Sequence, residues 1–196
     1  MRVYVPVTLA MLQRLVDDGA LNPVNGTAFA VTPALREAYA NGDDDELAEV
    51  ALRDAALASL RLLADEPLAR RGESTDEPVA RRGESTDEPL ARRGEDTDRS
   101  GLPPRRAVLV ADVDDATPLP LLDDAVVRLV GPVPMDRVVC VHVDNAAAED
   151  AVKAAAEVID AADLGDEDAE FAVGDAQDHE LAWYAPQELP FLLELL

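Results

Sequence analysis

Apolar positions along this chain follow two rhythms. Val3 and Val5 alternate with Tyr4 ahead of Pro6, the period-two pattern of a short strand over 2–7. Leu9, Leu12, Leu15 and Val16 then recur three and four residues apart, behind Thr8 as a cap and ahead of Gly19 as a stop, which predicts an amphipathic helix over 8–18. A turn-rich link at 22–26 leads to a second short strand over 27–31. Thr32-Pro33 sets a capping residue before proline at the first helical position and Asn41-Gly42 supplies a stop, so a short helix is expected over 33–40. Four acids at 43–46 stand where a helix dipole favours negative charge, ahead of an Ala/Leu helix over 46–64. Its leucines spread around the axis among Glu49, Arg53, Asp54, Ser59 and Arg61, as in a helix covered on several sides.

In the second half, 106–113, 125–130 and 137–144 read as strands. The last, Arg-Val-Val-Cys-Val-His-Val-Asp, is an uninterrupted apolar run of the kind buried on both faces of a sheet. Alternation sends Val139, Val141 and Val143 to one face, and Val138, Cys140 and His142 to the other. Three strands this close together favour an antiparallel meander, with a parallel component from the first strand as the alternative. The Pro-interrupted stretch 116–124 reads as irregular. Residues 146–162 form a helix with Val152, Ala155 and Ile159 on one side and Glu149 and Lys153 as an i,i+4 pair. A strand over 179–184 and a helix from Pro186, divided by Pro190, end the chain.

Between these halves, 65–75, 76–86 and 87–97 repeat one 11-residue unit, Asp-Glu-Pro-Leu-Ala-Arg-Arg-Gly-Glu-Ser-Thr, changed only at Val79 and Asp96. Each copy carries proline and glycine and one large apolar residue, which disfavours a helix and points to a solvated loop. The expected fold is therefore a single α+β domain, built from 1–64 and 105–196 and interrupted by a disordered loop over 65–104. Its sheet is mixed, largely antiparallel and about five-stranded, with packed helices. Near-identical copies indicate tandem duplication, and surface loops absorb such insertions at small cost.

Composition narrows the function more than the fold. With 41 acidic and 17 basic residues the net charge is -24. Such a field repels nucleic acid and anionic lipid surfaces, so neither is an expected partner. Lys153 is the only lysine among the basic residues, a bias that a GC-rich genome and a salty cytoplasm explain equally. One cysteine forms no internal disulfide, and no signal sequence or long apolar run occurs, so the expected location is cytoplasmic.

Two kinds of chemistry remain as candidates. Asp112 and Asp114, with Asp115, follow one strand, His142 and Asp144 end another, and His179 with Glu180 lies near the C-terminus; carboxylates and imidazoles of this kind would suit a divalent metal in a hydrolase. No other cofactor is expected. Cys140 and His142 share a strand face, though a cysteine within a valine run is more simply a buried apolar residue. His179-Glu180-Leu-Ala-Trp183 has tryptophan where a zinc-protease helix needs its second histidine. The second candidate is a protein-binding surface, for a partner or a homodimer, at Trp183, Tyr184, Phe191, Leu192 and Leu195. With no catalytic motif surviving, a non-enzymatic binding or regulatory module is the favoured reading.

The segments Met1-Arg-Val-Tyr-Val-Pro6, Phe29-Ala-Val-Thr-Pro-Ala-Leu-Arg-Glu-Ala-Tyr39, Gly165-Asp-Glu-Asp-Ala-Glu-Phe171 and His179-Glu-Leu-Ala-Trp-Tyr-Ala-Pro-Gln-Glu-Leu189 resemble an uncharacterised family of short actinobacterial proteins, a domain of unknown function. That resemblance implies no catalytic residues. The triple repeat departs from its pattern, in keeping with an insertion. The opening strand also has the position of the first strand in PIN-type ribonuclease toxins, but those end it in a ligand aspartate, whereas this one ends Val5-Pro6-Val7.

Overall fold

The structure is a computed structural model that describes residues 1–39, 42–72 and 101–196, with side chains outside 67–72. Its centre is strand β1 (Arg2–Val7), flanked by β3 (Thr27–Phe29) and β4 (Ala107–Asp112). Outward from β3 come β6 (Val126–Leu129) and β5 (Ala116–Pro118). Outward from β4 come β8 (Val138–Asp144) and β9 (Leu181–Tyr184), giving seven strands in the order β5-β6-β3-β1-β4-β8-β9. Each neighbouring pair is antiparallel. A separate two-stranded sheet joins β2 (Ala20–Leu21) to β7 (Val133–Pro134).

The expected meander of 106–113, 125–130 and 137–144 does not form. β4 and β8 are neighbours, but β1 and β3 separate β4 from β6. Both edges of β1 seek partners, and six consecutive pairs from Arg2–Asp112 to Val7–Ala107 satisfy one of them with β4. Pro6 is accommodated because the β1–β3 pairing is made at Tyr4 and Phe29 and does not extend to Pro6, which has no N–H to give.

Alternation along β1 sorts the core onto two faces. Val3, Val5 and Val7 join Leu109, Val141 and Val143 beneath helix α1 (Leu9–Asp18) and helix α6 (Leu189–Glu194), which contribute Leu12, Leu15, Leu189 and Leu192. Tyr4, Val108, Val110 and Cys140 pack on the opposite face under Leu35 of α2 (Pro33–Ala38) and Leu47, Ala51 and Ala55 of α3 (Asp44–Gly72). A third cluster joins Leu60 of α3 to Val152, Ala155 and Ile159 of α4 (Glu149–Asp163) and Val173 and Ala176 of α5 (Glu167–Gln177). α3 thus touches the sheet with one part of its length and the α4/α5 pair with another, which is why its apolar residues spread around the axis.

The predicted caps are formed. Thr8 accepts from the Met11 amide and Gly19 ends α1 at φ +74, a left-handed conformation that glycine adopts without strain. Thr32 accepts from the Leu35 amide and donates to the Asp124 carbonyl, tying α2 to the β5–β6 connection. α3 runs on through 65–72, so the first copy of the repeat begins as helix despite its proline; the remainder of the three copies, with the Arg-Arg pairs at 81–82 and 92–93, lies outside the described residues. Residues 101–104 are not loop alone, for Leu102 packs against the α1 side of the core. Sequence reading also missed α5, whose apolar positions are mostly alanine, and the short β2, β5 and β7.

β8 carries one departure from simple alternation. Val110 pairs with Cys140 and Ala111 with Val138, so Val139 is an extra residue, a β-bulge. The bulge turns Val138 to the α1 face and Val139 to the α3 face, opposite to the expected assignment, while Cys140 and His142 keep theirs.

Candidate functional site

A cleft of about 630 Å³ lies between α3 and the α5–β9 connection. Glu49, Leu52, Arg53 and Ala56 form its α3 wall, at the i, i+3, i+4, i+7 spacing that places them on one helix face. His142 of β8, Arg106 and Leu181 contribute from the sheet, and Asp178, His179 and Glu180 from the connection. The chain has two histidines, and both line this cleft.

Beneath it lies the most buried polar structure among the described residues. Arg106 is inserted just before β4, and its Nε and Nη2 donate to the two oxygens of Asp144 at 2.8 and 2.7 Å. Its backbone N–H gives Asp144 a third bond at 2.8 Å, and Nη2 also donates to the His179 carbonyl at 2.9 Å. The two side chains are 2% and 0% exposed. One fork therefore fastens the start of β4, the end of β8 and the entry to β9. Nη1 of Arg106 has no hydrogen-bond partner among the described residues, and Arg106 lines the cleft.

This geometry separates the residues proposed as metal ligands. Asp144 is committed to Arg106. Asp112 ends β4 in an ion pair with Arg2, whose guanidinium holds its carboxyl below the ordinary carboxylate range. His142 pairs with Val108, so Asp112 is four residues further along β4, roughly 13 Å at strand rise. Asp114 pairs with Arg137, and with Asp115 lines a different cleft of about 220 Å³. His142 and His179 share the larger cleft. Among the described residues no group of three or more His, Cys, Asp or Glu side chains is placed to hold a metal ion. The charge surplus of the sequence made carboxylates at strand ends a weak guide, because most of them answer to a neighbouring arginine.

Cys140 and His142 do meet, with Sγ 3.7 Å from Nε2. Burial pushes the thiol up, against opposing pulls from Trp183 and Arg2, so the sulfur stays protonated and packs in the α3-side core. Burial also lowers the affinity of His142 for a proton, which keeps its imidazole neutral at pH 7. Because the folded value lies below that of the unfolded chain, about 6.5, the unfolded chain takes up the proton first as pH falls. The stabilisation is complete above about pH 6.5 and is lost as pH falls below it toward the folded value. A His142→Gln variant is therefore expected to lose part of the decline in stability between pH 7 and pH 5, measured as urea midpoints at each pH. An unchanged difference between variant and parent across that range would refute this.

The C-terminal surface residues divide. Trp183 is 59% exposed on β9, Phe191 68% and Leu195 85% exposed on and beyond α6. Leu192 is buried, and Tyr184, partly exposed, packs against the α1-side core. Glu49, Arg53 and Arg106 were not singled out by sequence reading. The α3 face that carries Glu49 and Arg53 was legible as a four-residue spacing, whereas the role of Arg106 rests on Asp144, 38 residues away.

No helix among the described residues is long and apolar enough to cross a membrane. No curated protein and no solved structure matches the chain significantly. A model of a family of unknown function, DUF6912, matches residues 1–193, and the chain belongs to that family.

Proposed function

We propose that this protein is a non-catalytic binding module of the cytoplasm whose β9 edge takes up an extended, basic segment of another protein. What supports the reading is the contrast between the two edges of the sheet. The β5 edge ends in Pro118, a residue that blocks further pairing. The β9 edge reads Leu-Ala-Trp-Tyr, with neither proline nor charge, and its backbone makes no hydrogen bond beyond β8 among the described residues. An unguarded apolar edge is a template for an added strand, in which main-chain bonds supply affinity and alternate side chains supply selectivity. Exposed Trp183 gives an aromatic anchor beside it.

Charge selects the occupant. Asp178, Glu180 and Glu188 flank β9, and the chain as a whole carries -24, so a second copy would bring like charge to the same edge while a Lys- or Arg-bearing segment brings the opposite sign. No observation favours a metal-dependent hydrolase.

Trp183 is the only tryptophan, so its fluorescence reports on this edge directly. A peptide alternating lysine and valine is expected to change that fluorescence saturably, more weakly as salt rises. The same peptide N-methylated at alternate residues should fail to bind, because its edge donors are gone. Equal binding of the methylated peptide, or of a glutamate–valine peptide, would overturn the proposal, as would a sedimentation profile showing a stable dimer that Trp183→Ala dissolves.

A further inference from the structure

The cleft against α3 holds two arginines, Glu49 and the apolar side chains of Leu52 and Ala56, which strand addition at β9 does not use. Arg106 lines the cleft and is held rigid by Asp144 and the His179 carbonyl, so any donor it gives a ligand there is preorganised, and its Nη1 has no partner among the described residues. Arg53 stands on the α3 wall with no hydrogen bond or ion pair among the described residues, although Glu49 lies one turn before it. Three carboxylates, Glu49, Asp178 and Glu180, share the lining with these two guanidinium groups. Leu52, Ala56 and Leu181 supply apolar surface between them.

The balance of charge selects the ligand class. Asp144 cancels Arg106, which leaves Arg53 against three carboxylates. A bare dianion such as phosphate would meet more repulsion than attraction, and a simple cation would leave the arginine donors unused. A molecule carrying both signs satisfies both sets. We propose that this cleft binds a small zwitterion, an α-amino acid or dipeptide with an apolar side chain, its carboxylate on Arg53 and Arg106 Nη1 and its ammonium among Glu49, Asp178 and Glu180. The volume, about 630 Å³, lies within the range of small-molecule sites. The side chain lies along Leu52, Ala56 and Leu181, and neutral His142 can donate to or accept from a peptide group without adding charge. The inference does not rest on strand addition at β9, although Asp178, Glu180 and Leu181 border both surfaces.

Calorimetric titration of the full chain with L-leucine and with Leu-Ala tests it. Both are expected to bind saturably, and leucinamide, N-acetyl-leucine and inorganic phosphate each at least about tenfold more weakly, the loss attached to one unmade charge-assisted bond. Arg53→Ala, at an exposed position where folding is not at stake, should weaken leucine by a similar factor while leaving leucinamide unchanged. Glu49→Gln combined with Glu180→Gln should narrow the gap between leucine and N-acetyl-leucine. Absence of saturable leucine or dipeptide binding at millimolar concentration overturns the proposal. So does binding of phosphate or of either single-charge analogue as tight as that of leucine, or leucine binding that Arg53→Ala leaves intact.

Discussion

Replacing Arg106 by methionine is expected to destabilise the fold by about 3–5 kcal/mol, because it leaves Asp144 as a buried carboxylate without its countercharge. Asp144 is 0% exposed and would lose both side-chain donors, keeping only the Arg106 backbone N–H. The His179 carbonyl would lose its bond from Nη2 at the same time, so the damage spreads to the entry of β9. Against a typical domain stability of about 5–15 kcal/mol this is a large fraction of the whole. Urea unfolding followed by far-UV circular dichroism should show the midpoint falling with little change in slope. Removing both charges, Arg106→Met with Asp144→Leu, should recover much of the loss, since the desolvation cost of the pair disappears with it. A single variant that loses less than about 1 kcal/mol would show that water reaches Asp144 and that the ion pair is not the clamp described above.

Ser59→Ala should cost about 2–4 kcal/mol, a large loss for one oxygen atom. Ser59 is fully buried on α3, and its hydroxyl stands between the last residue of β1 and the first residue of β4, donating to the Val7 carbonyl at 2.7 Å and accepting from the Ala107 amide at 2.9 Å. Alanine would leave both buried backbone groups without partners, and each unpaired group costs about 1–3 kcal/mol. Hydrogen exchange at the Ala107 amide is the specific readout, together with the urea midpoint. Accelerated exchange at Ala107 is the expected result. Unchanged protection would mean that Val7 and Ala107 close on one another directly once the hydroxyl is gone, and that the helix need not stitch the sheet.

Both residues show how the site is held and why it was hard to read. Ser59 was visible only as one polar residue scattered among leucines. Nothing local marks it as a bridge, because its partners are 52 and 48 residues away. Asp144 invited a metal reading for the same reason. A carboxylate at the end of a strand looks available until the arginine that claims it is placed beside it.

What the sequence determined by itself were the features set within a few residues. The Thr8 and Thr32 caps, the Gly19 stop, the run of β8 and the spacing of α1 were all legible because each depends on bonds or alternation no longer than a helical turn or a strand pair. The α+β class followed from them. The tertiary structure alone decided that β1 pairs with β4 rather than standing beside a meander, that Val139 bulges, and that the two histidines, 37 residues apart in sequence, line one cleft with Arg53 and Arg106. Strand order and buried ion pairing are long-range choices, settled by which edges and charges can be satisfied together once the core closes, and no local pattern of residues records that outcome.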